Sequence, residues 1–405
     1  MRAEAELVLC SVQSGAQTGS ADDRLARLLQ NGLDWETVAN LATRNGVLPL
    51  MYSRLKELVG RRGLPPLPEH LKTLFHVNAV RSQHMTAELL RLLKLLDEQG
   101  VNAIPFKGPS LAALIHGDTT MRQFVDLDLF VRRSNLALMV DVLLAAGYQT
   151  RFDCRDTVRT SLFNAHENEF ISTKSRITLD VHWGITPDSL PFGPSIERLW
   201  GRARQTHVNG KPVRTLAPVD QVHVLCLQGC RDGWDKLSSV CGIAGLIKLI
   251  ADDSEWTLLI EEAKECRTFR MVLLGLCIAN HWLNAPLPPA IDKLVNADGT
   301  ITSLAQRIGL GFFTCGNMRR MAQEWIAQLV VPVAVIETRR DRWRFYFVRF
   351  LQPTLRDGEF VQLPRSLFAL YYVLRPVRLL VAAASWVVER LRRFAIQRWL
   401  SRPTP

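Results

Sequence analysis

No Cys-x-x-Cys pair occurs in this sequence, although eight cysteines are spread over its 405 residues. Cys226 and Cys230 stand one helical turn apart without a partnering pair of histidines, so a zinc site of the usual spacing is not expected. The remaining thiols, Cys10, Cys154, Cys241, Cys266, Cys277 and Cys315, are scattered, as suits a reducing cytoplasm rather than a disulfide framework. A secretory leader is not expected either, because Met1 to Cys10 lacks a long apolar core and a cleavage site. Internal repeats and low-complexity tracts are also missing, which sets solenoids and repeat arrays aside. With 47% hydrophobic residues the chain is not disordered, and its length leaves room for two or three domains.

Charge of one sign is unevenly placed. The net charge is +11, and from Arg375 to the end seven arginines face one glutamate. Within that tail, residues 379–388 form an apolar run of ten interrupted only by Ser385. That is about half the length needed to cross a bilayer. Further on, Leu391, Phe394, Ala395 and Trp399 fall near helical spacing with Arg392, Arg393 and Arg398 between them. A peripheral contact with anionic lipid at an inner membrane face through 375–402 fits this composition. Contact with RNA, packing on the protein's own domain, and an ordinary helix with a solvated arginine face remain open.

The most informative stretch is Met121-Arg-Gln-Phe-Val-Asp-Leu-Asp-Leu-Phe-Val131, which reads as a buried strand carrying two acids. Strand residues i and i+2 share a face, so Asp126 and Asp128 emerge together. Like charges that close raise each other's pKa unless a cation lies between them, and hard oxygen ligands on a rigid strand suit Mg²⁺. Upstream, a short strand runs into Lys107-Gly108 and a helix opens at Pro109, so Gly108, the helix N-terminus, Lys107 and the Ser110 hydroxyl are candidates for phosphate. Arg122 either binds phosphate or neutralises the acidic face. Downstream, Leu179-Asp-Val-His-Trp183 places Asp180 on a further apolar strand. A strand-borne pair and a third carboxylate on a neighbouring strand match the ligand set of a two-metal phosphoryl-transfer site. Bland readings stand beside these: the pair as strand-end caps, Asp180 paired with Arg176, Lys107-Gly108 as a plain turn. His182 is expected to be a core histidine, His166 a residue of the pocket rim, and Glu169 solvated.

Taken in order, Phe-Lys-Gly-Pro-Ser-Leu, the Asp126-Leu-Asp128 segment and Leu-Asp-Val-His-Trp resemble the uncharacterised nucleotidyltransferase family of the polymerase-β-like superfamily. The segments from Asp34 to Leu50 and Leu370 to Leu380 look similar to members of it as well, so the resemblance covers most of the chain. It implies a Mg²⁺-dependent transfer of a nucleoside monophosphate from an NTP to an acceptor hydroxyl, with release of pyrophosphate. Asp126 and Asp128 would hold both ions; Asp180 would hold the second and help deprotonate the acceptor. Lys107, Gly108, Ser110 and Arg122 would bind the nucleotide. The superfamily's glycine-serine pair before the acidic strand appears here as Lys107-Gly108 with Ser110 two residues on. The acceptor stays open among a small molecule, a carbohydrate, a protein and RNA. Two other readings keep the fold: a nucleotidyltransferase-type toxin modifying RNA, and a degenerate, membrane-associated adaptor.

Periodicity organises the rest. Residues 1–97 read as helical, with a break at 60–68 and a long helix from His70 to Leu96. Residues 98–216 carry strands at 101–106, 126–132, 147–152, 167–173, 176–185 and 212–216, with helices at 109–116 and 134–146. Residues 217–374 read as helical, the first stretch running unbroken to 252, and 375–405 form the basic amphipathic tail. The expected fold is α+β: a small mixed sheet forming a polymerase-β-like core, flanked by helical regions.

Overall fold

Alternating apolar residues in Asp126–Val131 can be satisfied only by burying one face against helices and leaving the other for the acids, and the chain is arranged around that requirement. In the computed structural model, residues 1–13, 19–163, 165–190, 192–314, 330–382 and 384–385 are described. Five strands, β1 (Ala103–Pro105), β2 (Asp126–Val131), β3 (Tyr148–Gln149), β4 (Glu167–Ser172) and β5 (Thr178–His182), form one mixed sheet in the order β1-β2-β5-β4-β3. Only β2 and β5 run parallel; the other pairs are antiparallel. The architecture is α+β, with helical regions on both sides of this sheet in the sequence.

The two faces of the sheet differ in kind. Leu127, Leu129, Val131, Phe170, Leu179 and Val181 form the apolar face. They pack with Met139, Val140 and Leu143 of the helix Leu136–Ala145 and with Leu89, Leu92 and Leu96 of the helix Glu69–Glu98. The opposite face carries Asp126, Asp128 and Phe130 from β2 beside Thr178, Asp180 and His182 from β5. Here the sheet meets a second apolar core through Ile104, Phe106 and Phe130. Helices from both ends of the sequence build that core, among them Trp35–Arg44, Leu48–Arg62, Pro218–Asp232, Leu237–Ile247 and Phe269–Leu283.

Several expectations change. The stretch from 218 does not run as one helix to 252: Pro218–Asp232 stops at Gly233, whose φ of 71° is followed by Trp234 at 56°, and Leu237–Ile247 starts anew. Left-handed backbone at two successive residues cannot continue a right-handed helix. The strand expected at 147–152 shortens to Tyr148–Gln149. A hairpin of β6 (Arg204–Val208) and β7 (Lys211–Thr215) forms a separate two-stranded sheet, of which only the second strand was anticipated. Its signal was the Asn209-Gly210 turn, both residues at positive φ.

Residues after 330 return to the sheet. The helices Arg339–Phe350 and Leu355–Phe360 lead through a 3-10 turn at Arg365–Leu370 into helical residues 371–382. Tyr371 is fully buried in the core under the apolar face, donating to the Val361 carbonyl at 2.7 Å and lying edge-on to Phe163. The first two arginines of the basic tail therefore pack on the protein itself: Arg375 and Arg378 both pair with buried Asp357. The amphipathic stretch at Leu391, Phe394 and Trp399 lies outside the described residues, as does Cys315. Among the described residues, no helix is long and apolar enough to cross a membrane.

Candidate active site

Edge strand β1 ends at Pro105, and its exit is held by two side chains: Thr215 Oγ1 donates to the Pro105 carbonyl at 2.9 Å, and Gln221 Nε2 to the Phe106 carbonyl. This delivers Lys107 to the N-cap of the helix Gly108–His116. Gly108 has φ of 52°, and a β-carbon there would lie 3.5 Å from the Asp126 carbonyl, so glycine answers a backbone angle and not a lack of space. Fully buried Ser110 donates its hydroxyl to the Lys107 carbonyl at 2.9 Å, tying the first turn together. The loop entering β2 is pinned by Asn78, whose amide donates to the Thr120 carbonyl at 3.0 Å.

Parallel pairing puts Asp128 directly opposite Asp180, and Asp126 opposite Thr178. Lys107 Nζ and His182 Nε2 each lie 3.2 Å from the same Asp128 oxygen. Burial opposes ionisation of Asp128, but the charges and hydrogen bonds of Lys107 and His182 outweigh it and hold the carboxyl below the usual range. For Asp180 the attraction of His182 is not enough to offset the opposing effects. Burial first, and then the Asp128 charge, push it up to about 7. Asp126 is raised by burial and by Asp128. Arg176, one conceivable partner for Asp180, sits exposed at φ of 58°.

His182 is buried, but more than a core residue. While Nε2 meets Asp128, Nδ1 lies 3.1 Å from Glu167 Oε2 on β4. Burial works against a charged ring, and the two flanking carboxylates outweigh it, raising the imidazole's pKa. Glu167 is in turn held low: burial opposes ionisation, while His182 and Arg231 prevail. Arg231 Nη1 approaches Glu167 at 3.5 Å from the end of the helix Pro218–Asp232. Neither Glu167 nor Arg231 was singled out from sequence. Alternation along β4 puts Glu167 and Glu169 on one side and Phe170 on the other, a legible pattern, but only the register tells that Glu167 faces His182 and exposed Glu169 faces Asp180. His166 lies beside this cluster, with Nε2 3.8 Å from Glu167.

Arg122 reaches the helix Leu237–Ile247, donating from Nη1 to the Ser238 carbonyl at 3.4 Å. A β-carbon on Gly242 would stand 3.2 Å from that nitrogen. The Arg122 Nε is buried without a partner, and burial lowers the guanidinium's pKa despite the attraction of Asp128.

The donor set suits a hard divalent cation. Asp128, Asp180 and His182 each offer a ligand atom within 4.8 Å of the others. Asp180 is raised to about 7 by burial first and by the Asp128 charge second, and a cation beside both carboxyls would favour its ionised form. Asp126 adds a third carboxylate on the same face.

No curated protein matches the chain. A solved structure of an antigenic nucleotidyltransferase-like protein from Paracoccidioides brasiliensis is similar over 57% of this chain and 92% of that one, at 14% identity and a TM-score of 0.28. The sequence model of the uncharacterised nucleotidyltransferases matches residues 31–284, a stretch that contains β1 to β7 and every acid of the site. The chain belongs to that family of uncharacterised nucleotidyltransferases.

Proposed function

We propose that the protein transfers a nucleoside monophosphate from an NTP to an acceptor hydroxyl and releases pyrophosphate, at the acid-bearing face of the sheet. The observation that carries this reading is the facing pair Asp128 and Asp180 within the matched segment, the first ionised by Lys107 and His182, the second raised to about 7. Asp126, Asp128 and Asp180 hold Mg²⁺, two ions in the full complement. When bound, the metal supplies Lewis-acid stabilisation of the charge that develops on the transferring phosphate.

The chain's own groups do the rest. Lys107 and the N–H groups opening the helix Gly108–His116 bind the β- and γ-phosphates, a task suited to an ammonium and unpaired backbone donors. Ser110 supports that turn through the Lys107 carbonyl, and Arg122 contributes positive potential from behind Asp128. The Asp180 carboxylate takes the proton of the acceptor hydroxyl. Residues 98–216 form the catalytic core in this reading, and the helical regions 1–97 and 217–374 choose base and acceptor. Within 375–402, Arg375 and Arg378 are held by Asp357, and the part of the tail beyond them is left in this reading for peripheral contact with an anionic membrane surface.

The test uses purified protein, Mg²⁺, each NTP labelled separately at the α- and γ-phosphates, and fractionated cell extract. Incorporation of α-label alone, lost in Asp126→Asn/Asp128→Asn, supports the reading, and the labelled fraction reveals the acceptor class. Incorporation of γ-label would mean a kinase-like reaction and contradict it.

A further inference from the structure

The segment Leu370 to Leu380 lies beyond the matched stretch, and the proposed chemistry leaves its arginines without a task. Arg375, Arg378 and Leu379 of this segment line a cavity of about 660 Å³ that the start of β4 also lines. His166 and Glu167 line it at β4, and Arg349 and Arg356 line it together with Arg375 and Arg378. Glu167 lines this cavity and contacts His182, which in turn contacts Asp128, so two side chains link the cavity wall to the acids.

Charge in the cavity is unbalanced. Asp357 is the single acid paired with these arginines, 3.0 Å from Arg375 Nη1 and also bound by Arg378 Nε. Arg349 and Arg356 pair with no acid among the described residues. Arg375 is 5% exposed; its Nη2 donates to the Arg349 carbonyl at 2.8 Å, and its Nε is buried with no partner. Burial, then Arg375 and Arg356, lower the pKa of Arg349, as expected where cations crowd without counter-charge. The supports are firm: Thr354 and Asp357 form a capping box, and Tyr371 anchors the segment in the core.

We infer that this cavity is an anchoring subsite for the phosphate group of a small phosphorylated acceptor, placed beside the acids where the acceptor hydroxyl reacts. Guanidinium groups recognise phosphate through paired N–H donors, and the cavity volume suits a small molecule. The lining of this cavity includes none of Lys107, Gly108 and Ser110, so it is distinct from the turn assigned to the nucleotide's phosphates. Calling the occupant an acceptor rests on the proposed nucleotidyl transfer.

The experiment measures binding of glycerol 3-phosphate and inorganic phosphate to the full chain, and of Mg²⁺ with a non-hydrolysable NTP in parallel. Arg349→Gln/Arg356→Gln leaves the Arg375–Asp357–Arg378 pairing untouched and is expected to fold. It should weaken glycerol 3-phosphate binding by about tenfold or more and leave Mg²⁺-nucleotide binding unchanged. Asp126→Asn/Asp128→Asn should do the reverse. Equal binding of glycerol 3-phosphate by wild type and the arginine variant overturns the subsite. So does binding confined to phosphatidylcholine vesicles containing phosphatidylglycerol, which would make the occupant a lipid headgroup. Absence of phosphate binding with intact Mg²⁺-nucleotide binding overturns the subsite alone. Phosphate binding without Mg²⁺-nucleotide binding overturns the transferase reading, and the occupant's role as acceptor with it.

Discussion

The two faces of the five-stranded sheet are built from the same strands, residue by alternate residue, and obey opposite rules. Leu127, Leu129, Leu179 and Val181 are fully buried and lie in one apolar core. Their immediate neighbours Asp126, Asp128 and Asp180 crowd like charges into a partly dry cleft. Burying the first set stabilises the fold; holding the second set together costs stability. A structural acid cluster in the same molecule shows the difference. Buried Asp220 and Glu262 are both met by Arg202, at 2.5 Å each, so their charge is answered within the protein. Burial raises the pKa of Asp220 as it does that of Asp180, but Asp220 has a direct ion pair and for Asp180 none is seen among the described residues, which is the physical reason for assigning it a function.

Replacing members of the two faces should separate these roles. The largest effect is expected from Asp180→Asn: loss of transfer activity by about a thousandfold, since one ligand and the proton acceptor go together. Its stability effect has the opposite sign. Asp180 in the folded protein is raised to about 7 from 3.8, so its folded form holds the proton more tightly than the unfolded chain does. That contribution is fully present below about pH 4 and is lost as pH rises through about 7. Metal-free wild type should therefore weaken between those values, and Asp180→Asn should be the more stable protein at pH 8, by on the order of a few kcal/mol. Thermal melts across pH, with and without Mg²⁺, check this; Mg²⁺ should narrow the gap by stabilising wild type.

Next in size is the neighbouring residue on the other face. Leu179→Ala should destabilise by about 3 kcal/mol through lost burial and a cavity, while molecules that remain folded retain activity within a few-fold. Denaturant unfolding and activity below the transition measure the two parts. A loss of catalysis as large as that of Asp180→Asn would erase the distinction between the faces. The smallest effect is expected at Gly108→Ala, where positive φ costs about 1 kcal/mol without a clash, and weaker nucleotide binding should accompany it. Calorimetry with a non-hydrolysable NTP reads that shift.

The acid-bearing strand was legible because alternation is local: five residues suffice to say that Asp126 and Asp128 share a face. The neighbouring position of Asp180 could be inferred from its own apolar strand. What joined them was not legible. The links from Arg231 through Glu167 and His182 to Asp128 depend on the register of three strands and on a helix end roughly fifty residues later. His182 reads as an ordinary core histidine until β4 is placed beside it. The Ser110 hydroxyl had a phosphate as one conceivable partner and finds the Lys107 carbonyl three residues back, a local bond that competes with any ligand. The helix break at Gly233 and Trp234 escaped notice because the apolar pattern continues across it. The arginine-lined cavity is harder still, since Glu167 and Arg375 line it from positions more than two hundred residues apart in the sequence.

The most direct test of the acid face is diffraction from crystals grown with Mn²⁺ and a non-hydrolysable NTP, read at the manganese anomalous edge. The account predicts anomalous density coordinated by Asp126, Asp128 and Asp180, with the nucleotide's β- and γ-phosphates against Lys107 and the start of the helix Gly108–His116. Nucleotide bound elsewhere, or manganese absent from these three carboxylates in a crystal that holds the nucleotide, would contradict it.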